Sequence, residues 1–323
     1  MIKKQEHIKL NRRKTTAVFK AVNEAIQNRR GIFYQGLKPF LPQWNLPPEF
    51  EYIPQRKETI DPINASKYLF TRTFCDRLAV SSYLSKQTQQ AWADKETRWI
   101  FFPDSVTKRS IEEIRSVLKD KLKHAIYNNQ EKSPWEKYSL ACKILMEKYQ
   151  GDSRNLIHEK TVEKARIELM SLPGFGTGLA NLYIMEMYSR RIAIPTDPEN
   201  IKSKIDVHKA RLALNTDILE LVNNTRERGE VHANGITSIL EREYLRVCKK
   251  QEIDQVEIDA ALWIIGSEIC TRKDYNYCRN CPLVDGLCIS DVRLNRFTDR
   301  FEVYKKGERI DIRKNLGQKY LKL

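Results

Sequence analysis

Leu172-Pro173-Gly174-Phe175-Gly176-Thr177-Gly178-Leu179-Ala180-Asn181 lies between two stretches of helical periodicity, and its reading decides what kind of fold surrounds it. Two glycines bracketing one apolar residue let the backbone turn tightly and present amide N–H groups at a helix N-terminus. Such a turn holds a phosphate without any side-chain charge. The plainer reading is a helix–helix connection whose glycines only permit the turn. From these residues alone both readings stay open.

Working outward, apolar residues recur at three- and four-residue steps through Ile111, Ile114, Val117, Leu118, Leu122, Ala125 and Ile126, with charged residues between them. Ser133, Pro134 and Glu136 predict a capping box and a helix beginning there. Further helices are expected over 161–171, 178–190, 206–214, 236–250 and 256–270, and a short basic one over 11–28. Residues 31–62 hold six of the twelve prolines and read as an irregular linker. Only the tail, 301–312, alternates like a hairpin. The fold class is mostly α.

The chain carries 57 Lys+Arg against 42 Asp+Glu, a formal charge of +15, and residues 1–30 alone hold nine basic residues against two glutamates. A polyanion is the expected partner. No apolar run has the length to span a membrane, and the start Met1-Ile2-Lys3-Lys4-Gln5 lacks a signal peptide's apolar stretch. A cytoplasmic, nucleoid-associated location is the corresponding expectation. Four of the seven cysteines crowd together: Cys270, Cys278, Cys281 and Cys288, with seven, two and six residues between them. Four thiolates within nineteen residues can reach one centre, as a cubane cluster or a tetrahedral zinc requires. The other three, Cys75, Cys142 and Cys248, are scattered through helical patterns, unlike a secreted disulfide framework.

Three segments, in order, carry a family resemblance. The stretch from Leu172 to Asn181 resembles the hairpin of endonuclease III and the related helix-hairpin-helix DNA glycosylases. Asp206-Val207-His208-Lys209-Ala210-Arg211 resembles the family's Asp-x-His segment downstream of the hairpin. Asp259-Ala260-Ala261-Leu262-Trp263, running on to the cysteines and Cys281-Pro282-Leu283, is similar to the helix that enters its 4Fe-4S loop. The resemblance covers about residues 66 to 290. It implies two lobes, a six-helix barrel with the hairpin (63–204) and an iron-sulfur lobe (205–290). A basic, proline-rich N-terminal extension (1–62) and a basic C-terminal tail (291–323) flank them.

The resemblance also implies a monomer that binds double-stranded DNA, flips a damaged or modified base and hydrolyses its N-glycosidic bond. Asp206 inherits the role of stabilising the oxocarbenium-like sugar and assisting the nucleophile; an aspartate there is equally a good helix N-cap. The four cysteines inherit a 4Fe-4S cluster, with zinc as the alternative. Leu172, Gly174, Phe175, Gly176 and Gly178 would meet the DNA backbone, Gln87 would fill the gap left by the flipped base, and Arg272, Lys273 and Arg279 would contact phosphates. For Gln87 a solvated helix end, and for the three basic residues a solvated face, are the plainer readings.

The chain departs from the family in three ways. Bifunctional members place a lysine two residues after the hairpin's second glycine, where this chain has Gly178, so no imine can form from that position. The hairpin-to-aspartate interval is longer than usual and contains Asp197, a rival carboxylate without a following histidine. Each outer cysteine interval exceeds the usual one by a single residue. Two other functions remain beside the glycosylase: a non-catalytic DNA binder, and a zinc-stabilised nucleic-acid module.

Overall fold

The structure, a computed structural model, describes residues 7–37, 46–53, 56, 58–76, 81–122, 133–222, 228–232, 236–270, 278–284, 286–288, 291–295 and 300–304. Eleven α-helices and seven short strands lie among the described residues, so the fold is mostly α. The chain forms two compact units, one built from residues 1–40 and 205–323, the other from 41–204.

In the first unit, strand β1 (His7–Leu10) leads into helix α1 (Arg12–Gln27), whose N-cap Asn11 accepts from the Lys14 N–H. Helix α1 buries Val18, Phe19 and Val22, so this basic segment is amphipathic core rather than a detached arm. The charges that suggest an extension occupy its outer face, with Arg13 and Lys20 exposed.

The second unit opens with the two-residue strands β2 (Tyr52–Ile53) and β3 (Glu58–Thr59). Its helices are α2 (Pro62–Cys75), α3 (Ser81–Ala93), α4 (Pro103–Val106), α5 (Ile111–Arg115), α6 (Pro134–Tyr149), α7 (Val162–Ser171) and α8 (Thr177–Ser189). A capping box at Ser110 and Glu113 starts α5, which continues as a π-helical stretch to Lys121, and the expected box at Ser133 and Glu136 starts α6. Aromatic rings fill the core: Tyr68 stacks on Phe101 at 5.4 Å, and Trp92 meets Phe50 and Phe101 edge-on. Phe101 and Tyr138 are buried here, while Trp99, Phe102 and Trp135 are half-buried.

The first unit resumes with α9 (Val207–Asn215), β4 (Leu219–Val222), β5 (Arg228–His232), α10 (Thr237–Gln251) and α11 (Gln255–Ile264). Helix α11 runs on as a π-helical turn, Ile265–Ile269, to Cys270. Strand β1 pairs antiparallel with β4, and Asn11 Nδ2 donates to Glu220 at 2.6 Å. Against α1, α10 places Tyr244 edge-on to Phe19 at 4.8 Å. Strands β6 (Asp291–Asn295) and β7 (Arg300–Tyr304) form a hairpin that adds β5 as a third strand, in the order β5-β7-β6. The tail hairpin therefore begins ahead of the alternating stretch at 301–312, whose residues from 305 onward lie outside the described set.

The glycine turn connects α7 to α8, and its two glycines differ. Gly174 has φ +93°, and a Cβ there would run into the Phe74 ring. A Cβ on Gly176 would meet nothing within 4 Å. Gly174→Ala is therefore expected to cost more than about 1 kcal/mol, combining a strained φ with an aromatic clash. Gly176→Ala should stay within about 0.5 kcal/mol of the parent. Urea unfolding of both variants checks this, and equal losses at the two positions would refute it.

Candidate functional site

Phe175 stacks on Phe70 at 5.1 Å, and both it and Leu172 are buried. Their backbone N–H groups are committed as well, Leu172 to the Leu169 carbonyl and Phe175 to that of Leu172. These two residues anchor the turn in the second unit's core, with their side chains buried. What the turn presents is the start of α8, where the N-cap Gly176 makes no side-chain hydrogen bond. Gly178 sits in its first turn, and the space where its Cβ would stand is bordered by Lys204 Cγ at 3.9 Å. The Lys204 amine is engaged by Asp76 Oδ2 at 2.6 Å, and that Asp76 carboxyl is held below the usual range by Lys204 and Arg72 against the opposing effect of burial.

Asp197, the rival carboxylate, has a structural position. Its Oδ1 accepts the Val162 N–H at 2.6 Å at the start of α7, and its Oδ2 accepts from Asn200 at 2.8 Å. It ties the extra segment after α8 to α7. Gln87 lies inside α3, half-buried, rather than at a helix end.

In the first unit, Asp206 is the N-cap of α9. Its Oδ1 accepts from the N–H groups of His208 and Lys209 at 3.0 and 3.1 Å, and Oδ2 takes no hydrogen bond from the described residues. One carboxylate oxygen is thus fixed by the helix, and the other is not. His208 lies edge-on to Trp263 at 6.1 Å, and burial pushes its pKa below the ordinary value although Asp206 pulls it up. A Cβ on Gly266 would stand 2.6 Å from the His208 carbonyl oxygen, so glycine is what lets α9 approach the end of α11.

The four cysteines are neighbours. Burial, and then the nearby Cys278, push the Cys270 thiol up to about 12, while Arg211 and a hydrogen bond with Asn215 oppose this. Burial also raises Cys281 well above its ordinary value, with Cys270, Cys288 and Cys278 adding to the rise. Among the described residues no three His, Cys, Asp or Glu side chains converge on one point, so the thiols are close without being drawn onto a single ion. Sulfur is the donor type that an iron-sulfur cluster takes, and the stretch is held locally by Cys281 N–H donating to the Cys278 carbonyl at 3.1 Å.

Sequence reading missed how the N-terminal segment meets this loop. Ile32 N–H donates to the Asn280 carbonyl at 3.1 Å, and a Cβ on Gly31 (φ +57°) would collide with that same oxygen. Arg29 and Arg30 are exposed just before Gly31, and Arg279 is exposed just before Asn280. A basic patch therefore assembles from two distant parts of the sequence; a glycine straight after a basic helix was its one local signal. Arg272 and Lys273 lie outside the described residues.

No family model matches the sequence, and no curated protein matches it. Among solved structures, the chain is similar to one titled a thermostable thymine-DNA glycosylase, with 15% identity and a TM-score of 0.43, over 78% of this chain and 93% of that one. No helix among the described residues is long and apolar enough to cross a membrane.

The depressed His208 gives a pH prediction. Below about 6.5 the unfolded chain takes up a proton that the folded one resists, so this group removes stability as pH falls. His208→Gln should lose less stability than the parent between pH 7 and 5. Parallel pH–stability curves for the two proteins would contradict it.

Proposed function

We propose that the chain is a DNA glycosylase that extrudes a damaged or modified base and hydrolyses its N-glycosidic bond, with Asp206 as the essential carboxylate. The observation that carries this is the split role of Asp206: two backbone N–H groups hold Oδ1, and Oδ2 remains open beside a helix that is itself built into the cysteine lobe. A fixed carboxylate facing a developing sugar cation lowers the barrier without reorganising during the reaction. Water supplies the nucleophile, because Gly178 offers no amine and the neighbouring Lys204 is paired with Asp76. The turn at Gly176–Gly178 binds a phosphate through its backbone, and Arg29, Arg30 and Arg279 add charge contacts.

Cys270, Cys278, Cys281 and Cys288 would hold a 4Fe-4S cluster. When bound, the cluster would cross-link the loop rather than enter base removal. Binding would require these thiols to give up their protons, which burial opposes until the cluster's positive charge is present. The rival reading, a non-catalytic binder, is favoured by the fact that helix capping alone accounts for an aspartate at 206.

Three measurements test the proposal. The purified protein should be yellow-brown with about one cluster per chain, and Cys278→Ala should bleach it; stoichiometric zinc without iron after anaerobic purification would sink the cluster. Binding to duplex DNA should weaken as salt rises. Replacing Arg29, Arg30 and Arg279 by Gln should reduce the log–log slope by up to about 0.9 for each phosphate that is no longer neutralised, with the fold unchanged. Substitution at the surface is the suitable test, since residues 12–27 form core helix.

Asp206→Asn keeps the cap, because asparagine caps as well as aspartate. Stability and DNA affinity should hold while base release across a panel of modified duplexes drops by about a hundredfold or more. Asp197→Asn should remain close to the parent, and borohydride should trap no covalent complex. Silence of the parent itself on every duplex would leave the binder as the better account.

A further inference from the structure

Lys209 and Asp259 form an ion pair at 2.5 Å with side chains only 2% and 5% exposed. Taking two charges this far out of water costs several kcal/mol per ion, and apolar residues of similar volume are often as good or better for stability. The pair's position suggests what it does instead. The backbone N–H of Lys209 is one of the two that hold Asp206 Oδ1, while its side chain is pinned to Asp259 on α11. Helix α9 touches the same partner at two further places, where His208 rests on Gly266 and where Asn215 bonds to Cys270. The Tyr244 hydroxyl, buried and without a hydrogen bond from the described residues, is in electrostatic range of both Asp206 and Asp259.

We propose that the Lys209–Asp259 pair is a positioning device: it fixes the first turn of α9 against the helix that enters the cysteine loop, and so sets where the Asp206 carboxylate stands. Lys209 and Asp259 do not touch the substrate. They act through the Lys209 amide and the register of α9. An apolar pair would fill the same space but leave the helix free to slide or rotate slightly. A carboxylate misplaced by about 1 Å typically costs on the order of a hundredfold in rate. This inference rests on the glycosylase reading of Asp206.

The test is the full-length double variant Lys209→Met, Asp259→Leu, compared with the parent in three readouts. The first is thermal stability with iron content. The second is the single-turnover rate of base release at saturating enzyme. The third is the affinity ratio for duplexes carrying a cationic pyrrolidine or a neutral tetrahydrofuran abasic analogue.

A positioning role predicts stability equal to or above the parent and unchanged affinity for the neutral analogue. Base release should fall at least tenfold and the preference for the cation should be lost. A merely structural pair would lower stability and leave rate and preference intact, which overturns the inference while Asp206 keeps its role. A parent with no base release and no cation preference overturns both. Should the double variant not fold, Asp259→Glu, which keeps the counter-charge but lengthens the side chain by one methylene and so shifts α9, is expected to show an intermediate loss of rate; parental rate there overturns the inference.

Discussion

Charge removed from water must be answered by charge, and each unit is organised around one such answer. In the second unit Arg72 and Glu186 meet at 2.7 Å with both side chains almost fully buried, and Arg190 is buried beside them. Glu186 answers for two guanidinium groups, and burial holds Arg190 below its ordinary pKa despite that neighbour. Arg72 Nε, Glu186 Oε2, Arg190 Nη2 and the Tyr68 hydroxyl keep no hydrogen bond from the described residues. In the first unit Lys209–Asp259 is a closed pair by comparison, and it lies one helical turn from the candidate carboxylate.

That proximity changes how Asp206 is read. A helix cap and a catalytic carboxylate are usually rival explanations of one aspartate, but they use different oxygens. The cap consumes Oδ1 and in doing so removes the side chain's freedom to rotate. Under the proposed function that rigidity would serve chemistry at Oδ2, since preorganised charge does not have to be reoriented when a cation forms. Asp197 shows the contrast: each of its oxygens is engaged, one by the Val162 N–H and the other by Asn200.

Much of this was legible in the sequence for local reasons. Helices α6 to α11 lie within a few residues of where periodicity and caps put them, because Ser133 and Glu136, or Asp206 itself, act on backbone groups three residues away. The hairpin was legible because Gly174 needs φ +93° and no other residue adopts it cheaply. Long-range packing was not. Residues 11–28 read as a short basic helix in an N-terminal extension, and nothing local says that Phe19 finds Tyr244 or that Gly31 finds Asn280. Phe175 read as part of a ligand-facing loop, whereas the turn hides it against Phe70. The Lys209–Asp259 pair was invisible for the same reason, a lysine on an amphipathic helix being ordinarily a solvated one.

These long-range pairings also constrain how the candidate site is assembled. The first unit is discontinuous: β1 pairs with β4, and the Gly31 turn closes on Asn280, with residues 41–204 lying between in sequence. Closing so long a loop costs only slowly more as it lengthens, about 0.6 kcal/mol for each doubling, so stability tolerates the insertion, but pairings of this separation form late. Helix α9 has its own cap in Asp206, and it packs on α11, which follows it within the same continuous stretch of chain. What waits for the N-terminal segment is the cover over Asn280 and the packing of α1 on α10. The arrangement divides the site into a local cap that orients the Asp206 carboxylate and long-range pairings that place its helix and gather the arginines.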